Sequence, residues 1–175
     1  LRCAMGPYGE TVILSASLDC TVKLWKLSSG QLVSDVIFPR AITALALDAF
    51  EEMLFAGAVD GSVFCVNFRH SPLDRHMAVS DQDAQPSQQS FRSVLAAHST
   101  EVCCLAVMPR GSKQVLLTAA RDGLIHSWDI ESGELISAFK KHTGPIHNMH
   151  ILYMEPGCVF GDKKKTMVGK LQKYQ

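Results

Sequence analysis

A short motif occurs three times in the chain and constrains its fold more than any other feature. In each copy an aspartate closes a turn and an alternating apolar run follows it. Ser17 to Trp25 reads SLDCTVKLW, Val59 to Asn67 reads VDGSVFCVN, and Arg121 to Asp129 reads RDGLIHSWD. The three turn aspartates are Asp19, Asp60 and Asp122. They are 41 and 62 residues apart, and the longer interval equals one period of 40–45 residues plus an insertion of about 20. Four short strands per period of this length are typical of a β-propeller.

Period-2 alternation and β-branched residues predict strands throughout the chain. In the first unit we expect strands at 11–17, 21–27 and 31–38, and in the second at 41–47, 53–58 and 62–68. In the third unit we expect them at 101–107, 114–120, 124–130 and 134–139. No segment has competing helical periodicity, so the sequence predicts an all-β fold.

Composition narrows the class of protein further. The chain has 175 residues, of which 47% are hydrophobic and 19% charged, which is enough apolar content for a buried core. Seventeen basic residues balance seventeen acidic ones, so there is no overall field to attract nucleic acid or an anionic membrane. No apolar run approaches the ~20 residues of a membrane-spanning helix, and the first residues, LRCAMGPYGE, do not resemble a secretory signal. The six cysteines form no CxxC pair, so we predict reduced thiols in the cytosol or nucleus.

Two longer segments carry a resemblance to a known family. Trp25 to Gly30 reads WKLSSG and Trp128 to Gly133 reads WDIESG, and in both units the tryptophan stands six positions after the turn aspartate. These segments resemble WD repeats. The resemblance implies a hydrogen-bonded set of Asp, His, Ser or Thr, and Trp in each blade of a WD40 propeller.

By position, the resemblance implies that the third unit carries the complete set. The members of this set in the chain are Ser15, Asp19 and Trp25 in the first unit, Asp60 in the second, His98, Thr118, Asp122 and Trp128 in the third, and His142 at the start of a fourth. The second unit departs from the pattern, because Phe38, Ala56 and Val66 stand where the histidine, the hydroxyl and the tryptophan are expected. We expect that blade to be held by apolar packing alone.

The repeats also predict a domain organisation. We expect a propeller arc over 1–152, with repeats at about 1–38, 39–95 and 96–140, the start of another at 141–152, and a basic tail at 153–175. A long polar loop at 69–93 should separate the third and fourth strands of the second unit. Closed propellers have 4–8 blades, so these three to four blades are expected to be part of a longer, seven-bladed protein. Two interpretations of Lys163 to Lys165 stay open. They are a patch for nuclear localisation or RNA contact, and a solvated, non-native end of the chain.

The sequence does not predict a catalytic triad or a metal site. Thr118 lies in the middle of a strand and Asp122 in a tight turn, so we interpret His98, Thr118 and Asp122 as packing residues and not as a nucleophilic triad. A zinc site at His142, His147 and His150 would need Cys158 as its fourth ligand, and a Pro-Gly turn precedes that cysteine. We therefore predict no catalytic residue, metal site or cofactor, and no enzymatic activity.

The resemblance extends to one branch of the WD-repeat family. Three features carry it: AGAVDGSVFCVNF at Ala56 to Phe68, IFPRAITALALD at Ile37 to Asp48, and the loop that contains Asp81 to Ala84. Over residues 1–151 the chain is similar to the WD-repeat subunit of the rixosome, in particular its plant members; beyond Gly157 the resemblance is lost.

This resemblance implies a nuclear scaffold, nucleolar or nucleoplasmic and with the cytoplasm left open, that functions in ribosome biogenesis. Its implied partners are proteins of a complex that matures the large ribosomal subunit and removes an rRNA spacer, with indirect association with pre-ribosomal RNA and neither a small-molecule substrate nor a membrane. The alternative is a WD-repeat adaptor or substrate receptor in ubiquitin ligation or signalling. A third and weaker possibility is a hydrolase that uses a propeller cleft.

Overall fold

The fold consists of short β-strands joined by tight turns. The computed structural model describes residues 2–5, 11–48, 50, 52–67, 76–79, 91–111, 113–140 and 142–152, with the backbone alone at 2–5, 76–78, 91–95 and 110. The strands are β1 Arg2–Met5, β2 Thr11–Ala16, β3 Thr21–Lys26, β4 Leu32–Ile37, β5 Ile42–Leu47, β6 Met53–Ala58, β7 Ser62–Asn67, β8 His76–Ala78, β9 Phe91–Ala96, β10 Val102–Arg110, β11 Lys113–Ala120, β12 Leu124–Asp129 and β13 Leu135–Lys140.

These strands form three sheets, each of which is one blade. Blade 1 has the order β1-β2-β3-β4-β8, blade 2 the order β5-β6-β7-β9, and blade 3 the order β10-β11-β12-β13. All neighbouring strands are antiparallel except β4 and β8. The prediction of an all-β, partial WD40 propeller is confirmed. The residue boundaries of the repeats and the total of seven blades stay predictions.

The hydrophobic core lies between successive blades. One cluster joins blades 1 and 2 and includes Leu14, Val22, Val36, Phe38 and Phe64. A second joins blades 2 and 3 and includes Phe55, Val63, Leu105 and Leu116. Blade 2 is thus covered on both sides, which explains why β6 and β7 are buried almost continuously and do not alternate between buried and exposed.

One part of the predicted long loop is a strand. Residues 76–78 pair in parallel with Asp35–Ile37 on the outer edge of blade 1, so the prediction of a continuous loop over 69–93 is wrong there and at its end, where β9 begins at Phe91. The physical reason is that the backbone of this segment pairs with β4 of another blade and that Val79 is buried there, which the local polar composition does not reveal. The other predicted loop residues, 69–75 and 80–90, lie outside the described residues, as does the predicted tail at 153–175.

Two further predictions concern membranes and thiols. No helix within the described ranges has the length and hydropathy needed to cross a membrane. Among the cysteines whose side chains the structure describes, which are Cys20, Cys65, Cys103 and Cys104, no disulfide bond is present. Cys3 and Cys158 lie outside those side chains.

Candidate functional site

The linkers into blades 2 and 3 each bring one residue onto the turn of the preceding blade. The His98 N–H donates to the Gly61 carbonyl oxygen at 3.1 Å, and the Phe38 N–H makes the same bond to Cys20 at 2.8 Å. His98 and Phe38 therefore occupy equivalent places at the entrances to blades 3 and 2. His142 lies at the corresponding place after blade 3, because a Cβ on Gly123 would come within 2.8 Å of its carbonyl oxygen.

In blade 3 this arrangement completes a chain of buried hydrogen bonds. The Trp128 indole N–H donates to Thr118 Oγ1 at 3.1 Å, and Thr118 Oγ1 lies 2.7 Å from His98 Nε2. We assign the Thr118 O–H as the donor to Nε2, so the single ring proton of the neutral His98 imidazole is on Nδ1. The His98 side chain and Thr118 are both 0% exposed.

The link from His98 to Asp122 is longer than the family resemblance implies. Asp122 Oδ1 accepts the Leu124 N–H at 2.9 Å, and the Asp122 N–H donates to Thr100 Oγ1 at 3.1 Å. Oδ1 lies 4.0 Å from His98 Nδ1, beyond hydrogen-bond distance. Within the described part of the chain, His98 Nδ1 and Asp122 Oδ2 are buried without a hydrogen-bond partner. Of the predicted set, Trp128, Thr118 and His98 are thus linked by hydrogen bonds, whereas Asp122 lies next to His98 without a bond to it.

His126 belongs to this network, although the sequence analysis did not identify it. Its ring stacks on His98 with centroids 4.3 Å apart and planes at 10°, and it contacts the edge of Trp128. Its Nδ1 lies 2.8 Å from the Ala97 carbonyl oxygen. Period-2 alternation was the available signal, because it places His126 on the same face of β12 as Trp128, and the register puts it opposite Thr118.

The surroundings of His98 favour its neutral form. Burial lowers the pKa of His98 below its ordinary value of 6.5, and the neighbouring His126 lowers it further. The charge of Asp122 and the interaction of the His98 ring with the Thr118 backbone act in the opposite direction but are smaller. A neutral imidazole is the form that can accept from Thr118 through Nε2.

Blade 1 holds a shorter version of the same network. The Trp25 indole N–H donates to Ser15 Oγ at 2.9 Å. Asp19 Oδ1 accepts from the Thr21 hydroxyl at 2.6 Å and from the Thr21 N–H at 3.0 Å. The hydroxyl bond is the largest cause of the lowered pKa of Asp19, which stays ionised and closes the turn.

Blade 2 replaces the polar network with apolar contacts. Phe38, Ala56 and Val66 are 3%, 0% and 0% exposed, and the Phe38 and Phe64 rings meet at 5.5 Å where blade 3 has the stacked histidines. Asp60 retains the turn role, because its Oδ1 accepts the Ser62 N–H at 3.0 Å. Its Oδ2 pairs with Arg40 at 3.0 Å. Burial alone would raise the pKa of Asp60, but the Ser62 hydrogen bonds and the Arg40 charge outweigh it and lower that pKa.

His142, His147 and His150 form no site with these residues. His142, His147 and His150 are exposed, and the recorded side-chain contact of His150 is with Asn148 at 3.0 Å. Among the residues whose side chains are described, no group of three His, Cys, Asp or Glu could hold a metal ion; Cys158 lies outside them. The side chains of the candidate nucleophile Thr118 and its neighbour His98 are both 0% exposed, so a solute cannot reach them.

The blades and the Trp–Thr–His network are those of a WD40-repeat protein. The sequence model of the family "WD domain, G-beta repeat" matches residues 2–26 and 89–129. The chain therefore belongs to the WD40-repeat family. The matched segments cover most of blades 1 and 3 but only β9 of blade 2, where the polar set is replaced.

Among individual relatives, WD repeat-containing protein 18 of Rattus norvegicus is 35% identical over 160 residues, which cover 91% of this chain and 35% of the relative. Protein ROOT INITIATION DEFECTIVE 3 of Arabidopsis thaliana is 30% identical over 95% of this chain and 33% of its own length. Pre-rRNA-processing protein IPI3 of Yarrowia lipolytica is 31% identical over 140 residues, 78% of this chain and 32% of the relative.

The chain thus spans about a third of the length of these curated relatives. Among solved structures, the WD40 repeats of RRP9 are similar with a TM-score of 0.60 at 16% identity, over 82% of this chain and 39% of that one. At that identity the likeness concerns the fold alone.

Proposed function

We propose that the protein is a non-enzymatic scaffold that binds other proteins during maturation of the large ribosomal subunit. The observation that carries this proposal is the 31% identity, over 78% of the chain, to a relative named for pre-rRNA processing. The scaffold role is supported by the way the chain uses its polar groups. The His98 and Thr118 side chains, which would be needed for chemistry, are buried within blade 3 and bonded to each other.

The finer proposal is that the protein is the WD-repeat subunit of the rixosome in the nucleus and supports removal of an internal transcribed spacer. Identity to the Arabidopsis relative, 30%, is no higher than identity to the rat relative, 35%, so the comparisons give no preference to a plant-type member. The balanced charge, 17 basic against 17 acidic residues, supports contact with pre-ribosomal RNA through partner proteins and not directly.

The nine residues of the repeat set are proposed to stabilise the blades and not to bind a partner. Trp128 with Thr118 and Trp25 with Ser15 are bonded within their own blades, and Asp19, Asp60 and Asp122 each accept a backbone N–H two residues on. These contacts leave the partner-binding function to other surfaces.

Affinity purification from nuclear extract tests the proposed function. The full-length protein that contains this segment would be tagged and compared with an unrelated WD40 propeller that carries the same tag. We expect large-subunit assembly proteins and spacer-containing precursor rRNA with the first protein only, and ribonuclease treatment should leave the protein partners bound. Recovery of cullin adaptors in place of assembly proteins would contradict the proposal and favour a role in ubiquitin ligation.

A further inference from the structure

Residues 76–79 lie on the outer edge of blade 1, although they belong to the insertion in blade 2. The parallel register pairs Asp35 with His76, Val36 with Met77 and Ile37 with Ala78. The Val79 N–H continues the pairing by donating to the Ile37 carbonyl oxygen at 2.7 Å. A segment from the next blade therefore extends the sheet of the preceding one.

The docked segment has an apolar anchor as well as main-chain bonds. Val79 is 6% exposed and belongs to the cluster that joins blades 1 and 2, together with Val36 and Phe38. Strand addition of this kind takes its affinity from the main-chain hydrogen bonds and its specificity from the packing of alternate side chains. In this segment Val79 is the side chain that is seen to pack.

The fifth strand is an addition to a blade that is complete without it. Blade 3 has the same four antiparallel strands, and no fifth strand pairs with β13 within the described ranges. The addition also covers only part of the edge. Its register begins at Asp35, whereas β4 begins at Leu32, a residue that is 44% exposed.

We propose that the outer edge of β4 is a strand-docking site, which residues 76–79 occupy in cis and which an extended segment of a partner protein can occupy in their place. The partner segment pairs in parallel with β4 from Leu32 to Ile37. It places an aliphatic side chain where Val79 packs. A histidine or basic residue three positions earlier fits the register opposite Asp35. This inference is independent of the proposed role in ribosome maturation.

The test uses the 175-residue chain and a synthetic peptide of residues 74–80 as the probe. In one variant, residues 75–79 are replaced by Gly-Ser-Gly-Ser-Gly, and in a matched control the same linker replaces residues 82–86. Binding of the labelled peptide is measured by fluorescence anisotropy. We expect the first variant to bind at least tenfold more tightly than the wild type or the control, because the edge is then vacated.

Side-chain specificity and the location of binding provide further criteria. A peptide with Val79→Asp should bind the vacated chain at least tenfold more weakly than the native peptide. Hydrogen exchange at residues 32–37 should be faster in the vacated chain and slow again when the native peptide is added. Equal binding by wild type and variant, or equal binding by both peptides, would overturn the proposal.

The replacement could also unfold the chain, and this result remains informative. In that event the native peptide is added in trans and the β-sheet circular dichroism signal is followed, with the single variant Met77→Pro treated in the same way. Recovery of the signal with the native peptide but not with Val79→Asp supports the docking site. No recovery in either variant overturns it.

Discussion

His98 has a buried imidazole that is bonded through one nitrogen and lacks a partner on the other. Nε2 is 2.7 Å from Thr118 Oγ1, whereas Nδ1 stands 4.0 Å from Asp122. A buried polar group without a partner destabilises a fold by about 1–3 kcal/mol. At the scale of single residues, blade 3 is therefore stabilised mainly by Trp128, Thr118 and the histidine stack, and the aspartate acts on its turn.

The variant Trp128→Ala tests whether Trp128 is one of the residues that mainly stabilise blade 3. The indole N–H bond to Thr118 and the edge contact with His126 are both lost, and removal of a core tryptophan costs about 3–5 kcal/mol. We expect the lower end of that range, because Trp128 is half-buried. Trp128→Phe, which keeps an aromatic ring, should cost about 1 kcal/mol for the lost hydrogen bond. Urea unfolding measures both, and equal stability of the Ala variant and the wild type would contradict the packing role.

The protonation of His98 predicts a pH dependence. Because burial and His126 place its folded pKa below the ordinary value of 6.5, the unfolded chain takes up a proton first as the pH falls. Stability should therefore be full above the ordinary pKa and decrease as the pH falls below 6.5 toward the lower folded pKa.

Thermal melts between pH 7.5 and 5 measure this loss. The variant His98→Phe with Thr118→Ala, which copies the residues at the same places in blade 2, should show a smaller loss than the wild type. A variant with the slope of the wild type would show that His98 is not the responsible group.

Two turn glycines, Gly61 and Gly30, are expected to differ in their tolerance of alanine. Gly61 has φ of +90°, and a Cβ there would collide with the His98 carbonyl oxygen. Gly30 also has a positive φ, +67°, but a Cβ there meets nothing within 4 Å. Both alanine variants incur a left-handed backbone cost of about 1–2 kcal/mol. Because only Gly61→Ala adds a collision, it should be clearly the less stable of the two variants. Equal melting temperatures would contradict the close linker-to-turn contact.

At the scale of strands and turns, the sequence predicted most of the fold, because strand order within a blade follows local alternation and turn residues. β10 to β13 lie close to their predicted bounds. The sequence analysis did not predict β8, since a three-residue strand has no period of its own and its partner β4 is about 40 residues earlier. His126 was missed for a related reason: its role depends on the neighbouring linker that carries His98, which alternation within β12 does not specify.

The contact between blades 2 and 3 includes one side-chain bond that can be tested separately. Thr43 Oγ1 on β5 lies 2.6 Å from the Val102 carbonyl oxygen on β10. Thr43→Val removes this bond with little change in shape, and we expect a loss of about 1 kcal/mol. Thr43→Ser keeps the hydroxyl and should stay closer to the wild type. Chemical unfolding that ranks the two variants in the opposite order would show that the hydroxyl does not couple the blades.

At the scale of the whole molecule, the three blades show that one architecture can be held by different chemistry. Blade 3 uses a buried polar network, blade 1 a Trp–Ser pair, and blade 2 the apolar contacts of Phe38, Ala56 and Phe64. Because each blade packs on its neighbours, their stabilities are linked through the inter-blade clusters.

The most direct measurement of the proposed function is the processing of precursor rRNA after depletion of the full-length protein. Northern blots with probes to the internal transcribed spacer follow the large-subunit precursors, with re-expression of the full-length protein as the control. The account predicts that spacer-containing precursors accumulate on depletion and return to normal on re-expression. Unchanged precursor levels in fully depleted cells would contradict a scaffold role in large-subunit maturation.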